Sequence, residues 1–321
     1  MPKPKVFITR KIPEEGLRIL EEAGIQYDMF PHAFTPPTKQ QIMNGVQDCD
    51  GLVSLLSDPI DQEVLESSTK LRIVSQYAVG YNNIDLDTAK DHGITVTNTP
   101  GVLTDATADL TWGLILSAAR HILTSDKYTR NGNYLGWAPL LQRGLEIRGK
   151  TLGIVGAGRI GSAVAMRARG FDMEILYHNR NRNPELEKST GAKLVQFHDL
   201  IKRSDIISVH TPLTPETHHL FSMNEFKQMK DTAIFINTSR GPCVNESDLL
   251  EALRKKVIYA AGLDVYEREP AFTKGLEELD NVVMVAHIGS STMKSRAAMS
   301  IIAAENLVEF FVGREPKYRV V

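Results

Sequence analysis

"TLGIVGAGRIGSAVAMRARG", residues 151–170, decides the fold. A short β-branched run, "LGIV", leads into Gly156-Ala157-Gly158-Arg159-Ile160-Gly161, and the glycines open onto a stretch with helical apolar spacing. Glycines at this spacing serve many tight turns, so the spacing alone says little; a strand before it and a helix after it give it meaning. Gly156 permits the turn, Gly158 lets a pyrophosphate approach the backbone, and Gly161 allows the helix to pack close on the strand. The helix N-terminus then faces the phosphates with free N–H groups and the positive end of its dipole. The stretch reads as the first βα turn of a dinucleotide-binding sheet.

Downstream, "EILYH", "DIISVHTP", "TAIFINTS", "YAAGLDV" and "NVVMVAH" are further short strand candidates, each following a helical or loop segment. Upstream, "KVFITR", "GLVSLLS", "LRIVSQYAVG" and "ITVTNT" alternate with helical patterns in "PEEGLRILEEAG", "QEVLESS" and "LDTAKDHG". Such alternation implies parallel βαβ units with helices on both sheet faces. A chain of 321 residues exceeds one compact core, so two domains are expected. The fold class is α/β, with two doubly wound parallel-sheet domains: a Rossmann cofactor domain at 100–289 and a discontinuous flavodoxin-like substrate domain at 1–99 plus 290–321.

The discontinuity follows from two helices. "PGVLTDATADLTWGLILSAARHI", with Thr104 as its expected N-cap, reads as a helix linking the domains, and Asp105 and Asp109 on one face of it need no catalytic role. "STMKSRAAMSIIAAENLVEFFVG" reads as a long helix returning to the first domain. Between linker and glycine turn, "NGNYLGWAPLLQRGLEIRGK" is irregular, apolar and aromatic. Exposed apolar surface of this kind marks interfaces, so the segment is expected to be an arm that docks on a partner subunit.

Composition excludes several classes. The formal net charge of -2, with acids and bases mixed, offers no basic footprint for nucleic acid. Cys49 and Cys243 stand far apart and outside any C-x-x-C pattern, so neither a disulfide framework nor a metal site is expected. His218 and His219 are adjacent, with no third ligand at metal spacing, and read as surface or loop residues. No stretch approaches the roughly 20 apolar residues that span a bilayer. A soluble cytoplasmic protein with a small-molecule ligand is expected, without nucleic-acid or membrane partners.

The second strand of a dinucleotide fold ends about 20 residues after the glycines, where an Asp or Glu normally bonds the ribose 2′-OH of NAD. Here that place holds Asn179 and Arg180, with Arg182 close behind. A carboxylate would repel a 2′-phosphate, whereas Asn can donate to it and Arg offers it a planar fork. NADP(H) is therefore favoured, with NAD(H) the alternative.

Three more motifs sit just after predicted strands, the edge where doubly wound sheets bind ligands: "INTSRGPCVN" with Arg240, "AGLDVYEREP" with Glu269, and "VAHIGSST" with His287. Singly they could be a salt-bridge residue, a solvated acid and a strand-end histidine. Together they suit reduction of a carbonyl, in which hydride arrival builds negative charge on oxygen. His has an unperturbed pKa of about 6.5 and can supply the proton. A Glu bonded to the imidazole favours its charged form and holds the ring, and Arg polarises the substrate's oxygen or binds its carboxylate.

At these residues the chain resembles the D-isomer-specific 2-hydroxyacid dehydrogenase family over essentially its whole length, most closely the branch that reduces glyoxylate and hydroxypyruvate. The strings "YAVGYNNID", "TNTPGVLTDATADL", "GIVGAGRIG", "FINTSRG", "AAGLDV" and "HIGSST" carry the likeness. The resemblance implies a catalytic Arg240, Glu269 and His287, with His287 the acid in reduction and the base in oxidation. It implies a substrate carboxylate gripped by the backbone around Val79 and Gly80, with Leu55 nearby. Thr107, Arg159, Ile160, Thr238, Arg240 and Asp264 would contact the dinucleotide, Asp264 near the nicotinamide amide. The same strand edge adds His210, bordering the adenine pocket, with Thr211, Pro212, Thr217, Ser239, His287 and Gly289. Trp137 of the arm would line the neighbouring subunit's site in a homodimer.

Ala286 departs from the family in standing where many relatives have Pro before the histidine, which should loosen that turn. The rival reading is a dinucleotide-sensing binding protein like the family's corepressors, against which all three catalytic residue types argue. Formate, phosphite, phosphoglycerate and other D-2-hydroxyacid dehydrogenases are the alternatives within the enzyme class.

Overall fold

The computed structural model describes residues 3–321. The chain divides into two compact units, one running to Leu103 and resuming at Ser291–Val321, the other spanning Thr104–Ser290.

The first unit opens with β1 (Lys5–Ile8), α1 (Glu14–Glu22), β2 (Gln26–Met29), α2 (Lys39–Val46), β3 (Gly51–Ser54), α3 (Gln62–Glu66), β4 (Ile73–Gln76), α4 (Leu86–Asp91) and β5 (Thr95–Thr97). The second holds α5 (Thr104–Arg120), α6 (Ile122–Arg130), β6 (Thr151–Val155), α7 (Arg159–Ala168), β7 (Glu174–His178), α8 (Pro184–Thr190), β8 (Lys193–Leu194), α9 (Phe197–Arg203), β9 (Ile206–Val209) and α10 (Met223–Phe226). It continues with β10 (Ile234–Asn237), α11 (Glu246–Arg254), β11 (Ala260–Leu263) and β12 (Val282–Met284), after which α12 (Met293–Phe311) belongs to the first unit.

Every strand pair is parallel. The first unit's sheet runs β2-β1-β3-β4-β5 and the second's β12-β11-β10-β9-β6-β7-β8. These are the flavodoxin-like and Rossmann doubly wound orders, each reversing beside its first strand, and such a reversal opens a crevice at the carboxyl ends of the strands. Central strands β3, β4, β9, β10 and β11 are buried along their whole length. That is why they show no alternation of apolar and charged residues.

Two early elements escaped the sequence reading. β2, "QYDM", is an edge strand with alternate residues exposed and no β-branched residue. α2 announces itself only through a capping box, in which Thr38 accepts from Gln41 N–H and the Gln41 side chain accepts from Thr38 N–H.

α5, expected as a linker, packs on α7, β10 and β11 and is an integral helix of the second unit. Its Trp112 stacks on Phe171 at 4.7 Å and donates to Val164 O. Asp105 and Asp109 both bind Arg167 of α7. His121, left-handed at φ 53°, separates α5 from α6. Residues 131–150 form no regular element, and Leu135, Trp137 and Leu140 are 96%, 83% and 73% exposed. α12, capped by Thr292, packs on α1 and β4. No helix among the described residues is long and apolar enough to cross a membrane.

Candidate active site

In the second unit, Arg240, Glu269 and His287 lie beyond the carboxyl ends of β10, β11 and β12, three neighbouring strands. The turn after β10 is closed by Asn237, whose Oδ1 accepts from Ser239 N–H and Oγ and whose amide donates to Arg240 O. Arg240 donates through Nη1 to Ser239 O at 2.6 Å. Burial draws its guanidinium below its ordinary value, Glu269 opposes this, and the group stays charged.

Gly241 joins this turn to the next. A Cβ there would stand 1.8 Å from Tyr266 O and 1.9 Å from the Tyr266 carbonyl carbon, so the two loops meet backbone to backbone. Across that contact, Glu269 Oε1 accepts from Tyr266 N–H at 3.0 Å and Oε2 meets His287 Nδ1 at 2.8 Å. Burial raises the Glu269 carboxyl, but His287, Tyr266 N–H and Arg240 outweigh it and hold the group below its ordinary range. An ionised carboxylate only accepts, so Nδ1 carries the hydrogen and Nε2 is left to exchange a proton. The Tyr266 hydroxyl donates to Val285 O, two residues before the histidine.

His287 sits at φ 50°. The turn without proline is held by Asp264, whose two oxygens accept from Ile288 N–H at 2.6 Å and Gly289 N–H at 2.8 Å. The expected loosening at Ala286 is thus countered from below, and Asp264, expected beside the nicotinamide, is engaged by the histidine's own turn. Burial pushes its carboxyl up against these donors and His287. Thr107 lies close by, since a Cβ on Gly289 would meet Asp264 Oδ2 at 3.0 Å and Thr107 Oγ1 at 3.3 Å. Thr238 is tied to Thr111 at 3.0 Å.

The sequence reading missed a brace behind Glu269. Buried Glu246, at the start of α11, accepts from Glu267 N–H at 3.3 Å and Thr273 N–H at 2.6 Å, spanning the loop that carries Glu269. Its own N–H donates to Glu267 Oε2, and Glu267 Oε1 meets His219 Nε2 at 3.0 Å. His219, read as a surface or loop residue, is therefore a half-buried partner of this loop; exposed His218 stacks on it at 4.0 Å. No local pattern announces such a brace, because its members come from three separate segments.

At the glycine turn, Gly156 adopts φ 96°, and a Cβ there would meet the His210–Thr211 backbone at 2.8 Å. Gly158 is the N-cap of α7 without a side-chain cap, and a Cβ on it would meet nothing within 4 Å. An uncapped helix start over open space fits a pyrophosphate. Arg159 is exposed beside it and Ile160 half-buried. Burial pushes His210 down to about 3, so its ring is neutral. Nε2 lies 2.8 Å from Ser208 Oγ, while Nδ1 is buried with no partner among the described residues. Thr217 Oγ1 donates to Pro212 O at 2.7 Å and Thr211 Oγ1 lies 3.8 Å from Cys243 Sγ, which fixes the loop after β9.

Beyond β7, Asn179 donates to Asn181 O and Arg180 is exposed, its charge helping to lower the Glu216 carboxyl after Thr214. Arg182, expected as a phosphate helper, forks onto Glu187 at 2.6–3.0 Å, because α8 brings that acid round five residues later. Asn183, overlooked in the sequence, caps α8 and donates to Ala157 O at 3.0 Å, tying this loop to the glycine turn.

In the first unit, Leu55 follows β3 and Val79 and Gly80 follow β4. Buried Asp58 accepts from Leu55 N–H at 2.7 Å and pairs with Arg10 at 2.6 Å. No group of three or more His, Cys, Asp or Glu side chains suited to a metal occurs among the described residues.

Residues 112–289 match the family model described as D-isomer specific 2-hydroxyacid dehydrogenase, NAD binding domain. The chain is 48% identical over 318 residues to a glyoxylate reductase of Thermococcus litoralis, covering 98% of this chain and 96% of that one. A Thermus thermophilus protein of known structure superposes with a TM-score of 0.92 at 41% identity, covering 99% of this chain and all of that one. An NADPH-dependent glyoxylate/hydroxypyruvate reductase from Sinorhizobium meliloti, solved with NADP and malonate, superposes with a TM-score of 0.89 at 29% identity, covering 100% of this chain and 97% of the other. With a doubly wound fold in each unit and an open glycine turn on the matched one, the chain belongs to the D-isomer-specific 2-hydroxyacid dehydrogenase family and is an NAD(P)-dependent dehydrogenase.

Proposed function

We propose that the chain reduces small 2-oxo acids, glyoxylate to glycolate and hydroxypyruvate to D-glycerate, with NADPH preferred over NADH. The observation that carries the reading is the His287–Glu269 pair at 2.8 Å with the charge of Arg240 beside it. The names of the Thermococcus litoralis and Sinorhizobium meliloti relatives support the substrate class, and the second supports the cofactor.

The dinucleotide, when bound, supplies hydride to the carbonyl carbon. Gly156, Gly158 and Gly161 with the start of α7 would hold its pyrophosphate, and Asn179 and Arg180 its 2′-phosphate. Arg240 binds and polarises the substrate's oxygen atoms. As the C–O π pair moves onto oxygen, His287 Nε2–H gives its proton there and the ring becomes neutral. Glu269 stabilises the imidazolium before that transfer and keeps the ring from rotating. The backbone around Val79 and Gly80, in the turn after β4, grips the carboxylate, with Leu55 nearby. The first unit is thus the substrate domain and the second the cofactor domain. The exposed arm carrying Leu135, Trp137 and Leu140 docks on a second copy of the chain.

The test is cofactor oxidation with a panel of 2-oxo acids, in parallel with NADH and NADPH. Glyoxylate and hydroxypyruvate should lead the panel and NADPH should give the higher kcat/KM. Preference for NADH, or for a bulky 2-oxo acid, would overturn the reading.

A further inference from the structure

The first unit holds a set of amide side chains placed behind the turn after β4. Three successive carbonyls of that turn are captured: Ala78 O by Thr99 N–H at 2.9 Å, Val79 O by Asn98 Nδ2 at 2.8 Å, and Gly80 O by Gln76 Nε2 at 3.2 Å. A trans peptide holds its N–H antiparallel to its carbonyl. Each captured carbonyl therefore aims the N–H of the following residue the opposite way. Asn98 sets the direction of Gly80 N–H, and Gln76 sets that of Tyr81 N–H.

Gln76 has no freedom of its own. It is fully buried, its Oε1 accepts from Ser54 Oγ at 2.6 Å, and its Nε2 also donates to Asn83 Oδ1 at 2.8 Å. Its two amide hydrogens and its oxygen are thereby used, which fixes one rotamer. Asn83 carries the connection on, donating to Leu55 O at 3.0 Å and Asp58 O at 2.9 Å. The turn after β4 and the loop after β3 are held as one piece through two side-chain amides. Consecutive N–H groups turned the same way make a concave anion site.

We propose that Gln76 and Asn98 are positioning residues that orient the Gly80 and Tyr81 N–H groups to receive the carboxylate of the 2-oxo acid. This rests on the reading of the turn as the carboxylate grip and adds the residues that set its geometry, neither of which touches substrate.

The experiment uses the full-length protein and compares glyoxylate with its methyl ester, which keeps the reacting carbonyl and lacks the charge. Gln76→Met preserves volume and removes both donations. It should raise the KM for glyoxylate about tenfold or more, the loss of one charge-assisted contact. The kcat/KM for the ester should change by less than about twofold, and so should NADPH affinity read by nucleotide fluorescence. Asn98→Leu, at a half-buried position, carries the same test if Gln76→Met fails to fold. Equal losses on acid and ester, or an unchanged acid-to-ester ratio in a folded variant, would overturn the proposal alone. A parent that handles ester and acid alike would overturn the carboxylate grip itself, and the proposal with it.

Discussion

Gly241→Ala places one methyl group where the loops carrying Arg240 and Glu269 touch. Its carbon would fall 1.8 Å from Tyr266 O, 1.9 Å from the Tyr266 carbonyl carbon and 2.5 Å from Glu267 N. All three are backbone atoms, so no side-chain rotation relieves the clash. Ordinary contacts lie near 3.5 Å, so the loops must part by roughly 1.5 Å. Tyr266 N–H is the donor that holds Glu269 Oε1, and the displacement passes directly to the carboxylate. Misplacing a reacting group by about 1 Å costs on the order of 10²-fold in rate, so kcat should fall at least ~10²-fold. Overpacking of this kind costs about 2 kcal/mol, which for a unit of this size lowers Tm by roughly 5 °C. The glycine turn is built by other segments, so dinucleotide affinity should stay within about threefold. The assays are kcat at saturating substrate and cofactor, fluorescence titration with NADPH, and thermal melting. A variant with kcat within twofold of the parent and an unshifted Tm would refute both the close approach and its role in aligning the pair.

His287→Ala should collapse kcat by ~10²-fold or more with NADPH binding retained, the size expected for a positioned acid; an active variant removes the assignment. Arg180→Asp should weaken NADPH about tenfold or more and NADH little, since only the former offers a 2′-phosphate; equal losses reject that contact. Glu269 is held below its ordinary 4.5, so the stabilisation its charge contributes is complete above the unfolded value and lost as the pH falls through the lower folded one. The acid limb of kcat assigned to Glu269 should therefore lie below about pH 4.5, checked by rate profiles with recovery of activity at pH 7. An acid limb that Glu269→Gln abolishes but that lies above pH 5 would contradict this.

Much of the second unit was legible because its strands are buried on both faces and read as unbroken apolar runs, from "LGIV" to "AAGL". The glycine motif and the three polar residues at strand ends were legible for a related reason: each belongs to a strand terminus, and strand termini can be counted along the chain. β2 was not, because a polar edge strand has no periodicity that separates it from loop. The Arg182 pairing was not legible either, because the acid that binds it lies on the next helix, and two arginines close in sequence look alike until that helix turns.

The amino-acid sequence by itself determined the α/β class, the dinucleotide turn, the family and the residue types able to transfer a proton. These rest on local order: period, turn chemistry and spacing within one βα unit. Tertiary structure alone decided which groups hold one another. Gly241 bears on Tyr266, Asp264 clasps the turn of His287, Glu246 spans the loop of Glu269, and Gln76 reaches Gly80 and Asn83. Most of these partners come from different loops that meet only because the parallel strand order stacks their carboxyl ends side by side. A side chain's chemistry is written in its residue type; its hydrogen-bond partner is set by which backbone the sheet brings within about 3 Å.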